Sequence, residues 1–250
     1  MLYMDYLAKV SEVLDKATKT QGPAIEKAAG YVSDAIAGGG VLHVFGCGHS
    51  QMYAMEVFYR AGGLAAVNAI LTPALSITPR APLSTAGERL PGYGNIILQN
   101  EPVAPGDALL IASTSARNSV PIDMAIEAKK LGLNVILLYS SEFANSVSSR
   151  HASGKMVMAF ADVIIDNCGV SGDAIMECEG ADAKFGPTSS VVGFALMQAM
   201  MVQAVENLIK QGIKPPIFIS GNLDGGMDAN LEIMKKYSSR VSSGAIFPIV

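Results

Sequence analysis

The chain has no tryptophan and only eight tyrosines and eight phenylalanines in 250 residues. Sugar recognition by stacked rings is therefore not the default expectation, whereas hydrogen bonding to a small anion needs fewer aromatics. Its three cysteines, at 47, 168 and 178, form no short-spaced pair. Their odd number argues against a secreted disulfide framework, and three scattered histidines supply no zinc-type ligand set. No metal and no dissociable cofactor are expected. A formal net charge of −4 gives no general attraction to nucleic acid or to acidic membrane surfaces. The N-terminus reaches Asp5 and then mixed charge, without the basic-then-apolar order of a targeting segment. The apolar run 193–205 is interrupted by Gln198 and Gln203 and is short for a bilayer span. These absences point to a cytoplasmic protein with neither a nucleic acid nor a membrane as partner.

Half the residues are apolar, and 25 glycines imply many tight turns. A chain of this length can bury a sizeable core as one domain. Hydrophobic periodicity places helices over 3–19 and 24–36, separated by Gly22-Pro23 and ended by Gly38-Gly39-Gly40. The order then reads strand 41–45, helix 50–61, strand 65–70, an excursion over 72–106, strand 108–112 and helix 119–131. Strands 134–139 and 162–166, a long helix over 191–211 and a helix over 227–237 complete it. Val/Ile/Leu-rich strands alternating with amphipathic helices indicate a doubly wound α/β fold with a mostly parallel five-stranded sheet. The predicted organisation is one domain over 1–250, with an N-terminal helical arm 1–38 and a C-terminal cover 212–250.

The strongest local signal is Gly46-Cys47-Gly48-His49-Ser50, where a strand enters a glycine turn at a helix start. Main-chain N–H groups converge at such a junction, the helix end is electropositive, and Ser50 adds a hydroxyl. A dinucleotide fingerprint fits badly, because Gln51 stands at the third glycine position and no acidic residue ends the next strand. The Gly-Lys-Ser/Thr ending of a triphosphate loop is absent too. A second polar turn, Ser113-Thr114-Ser115-Ala116-Arg117-Asn118-Ser119, follows another strand, and Gly186-Pro187-Thr188-Ser189 precedes the long helix. Together the turns suggest a phosphorylated small molecule.

These three segments, with the alanine-rich helix after the second, resemble the sugar-isomerase (SIS) domain family over about 35–210. The likeness is greatest to small bacterial single-domain members related to phosphoheptose isomerase. The resemblance implies a phosphosugar ligand held by Ser50, Ser113, Ser115 and Ser119, with Thr114 and Asn118 as close alternatives. Main-chain groups near Gly48 and Ala116 would contribute, Ala116 standing where the family commonly has glycine. Thr188 and Ser189 match polar residues that face the ligand in several members. The family also implies a homodimer, and its members isomerise sugar phosphates, cleave a sugar ether or regulate transcription. Aldose–ketose isomerisation is the leading reading, with a noncatalytic phosphosugar sensor and an ether lyase as alternatives. Isomerisation needs a base beside the carbonyl and an acid for the developing oxygen charge. Glu56, on the helix leaving the first turn, Glu88 in the excursion, and His49 are the catalytic candidates, with Glu179 and His151 behind them. No base adjacent in sequence marks Cys47 as a nucleophile.

Overall fold

In the computed structural model, which describes residues 1–242, five parallel strands form one sheet. They are β1 (Leu42–Gly46), β2 (Val67–Ile70), β3 (Ala108–Ala112), β4 (Asn134–Tyr139) and β5 (Val163–Asp166), ordered β2-β1-β3-β4-β5. Register runs from Val44 opposite Ala69 and Leu110 to Leu138 opposite Ile165. Alternate side chains enter two cores. Leu42, Val44, Leu110 and Ile136 join one, while Phe45, Leu109, Ile111 and Leu137 join the other. Both faces are covered, which is why these strands are mainly apolar, with His43 in β1 and Asn68 in β2 as buried polar exceptions.

Helices α1 (Leu2–Thr20), α2 (Gly22–Ala37), α3 (Gln51–Val57) and α8 (Ser189–Lys210) cover the first face. On the second lie α5 (Tyr93–Gln99) and α6 (Ser119–Lys130). Short helices α4 (Ala81–Gly87) and α7 (Ser141–Asn145) sit in connections, and α9 (Gly226–Tyr237) follows the tail. Pro23 opens α2, where its missing N–H costs nothing. Gly40 is required by close approach, since a Cβ there would land on the Asp107 carboxylate. Among the described residues α8 alone is long and apolar enough to cross a membrane, yet Val192, Leu196, Met197 and Met200 are buried in the first core.

Three predicted extents change. The helix after β1 stops at Val57, not 61, because Phe58 is extended and Tyr59 takes a left-handed φ of 43°. There the tail intervenes: Gly62 donates to the Phe218 carbonyl at 2.8 Å and Ala65 to that of Pro216 at 2.7 Å. The second strand consequently begins at Val67, since Ala65 spends its N–H on the tail. The excursion 72–106 contains α4 and α5, each seven residues and too short to show a clear period. Of the predicted C-terminal cover, 243–250 lie outside the described residues.

Candidate functional site

The order β2-β1-β3-β4-β5 reverses direction between β1 and β3, and the crevice outside their carboxyl ends is where such sheets bind ligands. Both polar turns open into it. After β1, a Cβ on Gly46 would land on the Ser50 carbonyl, and Gly48 holds a φ of 60°. Ser50 N–H closes the turn on the Cys47 carbonyl at 3.0 Å. After β3, Ser113 donates to the Leu138 carbonyl at 3.0 Å and Ala116 to that of Ser113 at 3.1 Å. Ala116 is fully buried with a φ of 53°, a conformation that costs a non-glycine residue about 1–2 kcal/mol. Val157 N–H holds it there by donating to its carbonyl at 3.2 Å.

Between the turns lies a cavity of about 150 Å³, lined by Cys47, Ser50, Glu88, Ser113, Thr114, Ser115, Asn118, Pro121 and Phe143. None of the hydroxyls of Ser50, Ser113, Thr114 and Ser115 has a hydrogen-bond partner among the described residues. Among the described residues the main-chain N–H groups of Thr114, Ser115, Arg117 and Asn118 likewise have no acceptor. By contrast Ser84, Ser140 and Ser189 spend their hydroxyls internally. Free donors beside this cavity, at the start of the 12-residue α6, are an arrangement suited to an anion. The volume lies below the ~300–1,000 Å³ of complete ligand pockets, which suits the anionic end of a ligand.

Glu88 reaches this cavity because its carbonyl accepts Val120 N–H at 3.1 Å, pinning the end of α4 over the first turn of α6. Gly94 allows the neighbouring α5 to approach equally closely, for a Cβ there would land on the Val120 carbonyl. Burial pushes the Glu88 carboxyl above its ordinary value; the Asn118 side chain, Arg89 and Arg150 pull it back only in part. Burial, and then the Glu88 charge, push the Cys47 thiol far up, so it remains protonated. Arg150 Nη1 donates to Asn118 Oδ1 at 3.0 Å. That bond orients the amide, leaving its NH₂ for Glu88 and the cavity.

Other predicted residues are not brought into this cavity. Glu56 pairs with Arg60 one turn on and accepts from Gln198 Nε2 at 3.1 Å, so it ties α3 to α8 and does not enter the cavity. His49 is exposed on the short turn before α3 and does not line the cavity. Ser119 is buried at the start of α6, between the lining residues Asn118 and Pro121 but not itself in the lining. Thr188 and Ser189 are engaged by Asp173, whose Oδ1 accepts their N–H groups at 3.0 and 2.8 Å and whose Oδ2 accepts the Ser189 hydroxyl. This internal carboxylate fills the start of α8 with the charge its dipole favours. His151 pairs with Asp123 at 3.1 Å, and Glu179 lies on an exposed loop. Sequence reasoning missed Arg150, Phe143 and Asp173, none of which carries a local motif. Among the described residues no group of three His, Cys, Asp or Glu is placed to hold a metal. Two larger open depressions, about 480 and 660 Å³, border the loop 177–184, where Glu177 and Lys184 already pair.

The SIS domain profile matches residues 5–140. The UPF0309 protein of Geobacillus sp. strain WCH70 is 40% identical over 236 residues, 94% of this chain and 96% of that protein. The UPF0309 protein of Listeria monocytogenes serotype 4b strain CLIP80459 is 37% identical over 237 residues, covering 95% and 96%. In fold, the chain is similar to a phosphoheptose isomerase from Francisella tularensis, with a TM-score of 0.55, 16% identity, and 82% and 96% of the chains covered.

Proposed function

The chain belongs to the SIS-domain family, and we propose that its cradle binds the phosphate of a phosphorylated sugar for aldose–ketose isomerisation. One observation carries the reading: four unpartnered hydroxyls and one half-buried carboxylate line a single cavity at the β1/β3 reversal. The hydroxyls of Ser50, Ser113, Thr114 and Ser115 and the free N–H groups before α6 take the phosphate oxygens. Glu88 is the base. Its carboxylate removes the proton from the carbon beside the carbonyl and returns it to the neighbouring carbon. The net change moves one hydrogen between adjacent carbons and one between their oxygens, the second exchanged through solvent water, so no oxidant is needed. The Asn118 NH₂ group donates to the enediolate oxygen where charge develops. Glu56 and His49 have no part in this scheme, because within one chain neither lines the cavity.

The second reading, a noncatalytic phosphosugar sensor, also has an observation behind it. Among the described residues Glu88 is the one carboxylate lining the cavity, and no histidine joins it. Ether cleavage is weaker, because its leaving oxygen must be protonated and among the described residues no second carboxylate or histidine lines the cavity to do so. The experiment is product-resolved turnover over a panel of aldose and ketose phosphates, with calorimetric binding in parallel. Glu88→Gln is expected to keep binding within about threefold and to lose turnover by about 10²–10⁴, the usual contribution of a positioned base. The acid limb of kcat/KM should lie above the ~4.3 of an ordinary glutamate, since the base must be ionised and burial raises its pKa. Binding without turnover by the parent chain would favour the sensor. Full turnover by Glu88→Gln would remove Glu88 from the mechanism.

A further inference from the structure

Three arginines from separate segments meet at the outer rim of the cradle. Arg150 N–H donates to the Arg117 carbonyl at 2.8 Å, and Arg150 Nη1 donates to Asn118 Oδ1 at 3.0 Å. Arg89 follows Glu88, which faces the same cavity. Partial desolvation, then the charges of Arg117 and Arg89, hold the Arg150 guanidinium below its usual pKa, so the three sense one another. Among the described residues none of them forms an ion pair, whereas Arg60 and Arg240 are paired with Glu56 and Asp107. The Arg117 Nε is buried with no hydrogen-bond partner among the described residues.

Such a cluster is unfavourable by itself. Like charges repel, and a buried guanidinium N–H without an acceptor carries a desolvation cost. A chain with an overall negative charge holds this local excess of cations beside a cavity already furnished with neutral donors. The arginines do not line that inner cavity; Arg89 and Arg117 adjoin its residues Glu88 and Asn118 in the chain, and Arg150 bonds to Asn118. Guanidinium forks match carboxylate and phosphate oxygens two at a time.

We propose that Arg89, Arg117 and Arg150 form a second anion subsite at the mouth of the cradle, so that the preferred phosphosugar carries another anionic group besides its phosphate. This inference rests on the cradle binding phosphate. The second group is a carboxylate or a second phosphate, and the two are separable with matched probes. Calorimetry on the full chain would compare sorbitol 6-phosphate with 6-phosphogluconate, and fructose 6-phosphate with fructose 1,6-bisphosphate. A preference of about 10-fold or more for the doubly anionic member is expected in one pair, the scale of a charge-assisted hydrogen bond. The pair that shows it identifies the group. Arg117→Gln should reduce that preference to about twofold while sparing the singly phosphorylated probe. Arg89→Gln, at an exposed position with no side-chain hydrogen bond, serves as a second variant if Arg117→Gln fails to fold. Equal binding within both pairs, or arginine variants that weaken both members alike, would overturn the subsite and leave the cradle standing. Absence of binding by all four probes would remove the cradle reading and the subsite together.

Discussion

Replacing Asp107 by alanine should destabilise the fold more than a change at the cradle. The carboxylate is 1% exposed just before β3, where four donors converge on it. Val41 N–H reaches Oδ1 at 3.0 Å, while Ala104 N–H, His43 Nε2 and Arg240 Nη2 reach Oδ2 at 2.7, 3.1 and 2.6 Å. His43 Nδ1 accepts from Asn68 Nδ2 at 3.0 Å, so its proton sits on Nε2, toward Asp107. Asn68 in turn receives Ser242 N–H on Oδ1 at 2.8 Å, so one network joins β1, β2, β3 and the tail. Alanine strands two main-chain N–H groups at about 1–3 kcal/mol each. Arg240, about a quarter exposed, can turn to water and adds little. The expected loss is about 3–4 kcal/mol, a large share of the ~5–15 kcal/mol typical of a domain. Asparagine is no conservative substitute, because its NH₂ would face the donors of Ala104, His43 and Arg240.

The sign with pH follows from the same contacts. Burial pushes the Asp107 carboxyl up, but hydrogen bonds from His43, Val41 and Ala104 outweigh it and hold the pKa below its ordinary value. A depressed folded pKa contributes stability that is full above the unfolded value of ~3.9 and lost as pH falls through the folded value. Urea unfolding followed by circular dichroism, at neutral pH and stepwise down to about pH 3, measures both effects. The gap between parent and Asp107→Ala should hold from neutral pH to about 5 and narrow below about 4. A neutral-pH difference under about 1 kcal/mol, or a gap that widens in acid, would refute the reasoning.

Two further outcomes are expected. A Cβ on Gly193 would land on the Tyr53 hydroxyl, which donates to the Ser189 carbonyl at 2.7 Å, so Gly193→Ala should cost about 1–3 kcal/mol in urea unfolding. An unchanged midpoint would show that α3 and α8 separate easily there. We also propose that the chain is a homodimer, because α1 leaves Leu2, Tyr3, Met4 and Leu7 exposed and α8 leaves Val191 and Val202 exposed. Light scattering at micromolar concentration should give twice the chain mass of 26.1 kDa; a monomer would count against it.

What was legible in the sequence was what neighbouring residues encode. β3 stood out as an unbroken apolar run and β1 as a run broken only by His43, while Gly46 marked a close approach that a side chain would obstruct and Gly48 a left-handed turn. What was not legible depends on residues far apart in the chain. Glu56 has a suitable offset from Ser50, yet its direction is set by Arg60 and by Gln198 on a helix more than a hundred residues later. Thr188 and Ser189 have the composition of a ligand turn, yet a carboxylate from Asp173 already occupies their donors. Arg89, Arg117 and Arg150 are unremarkable one at a time and become a charge cluster only through the Glu88–Val120 and Arg117–Arg150 main-chain bonds. The cradle itself depends on strand order. Two turns more than sixty residues apart share a cavity because β1 and β3 are neighbours, and the chain leaves them in opposite directions along the sheet. Exchanging the places of β3 and β4 would preserve every local motif but put β4 between β1 and β3 and separate Ser50 from Ser115, and with it the site would be lost.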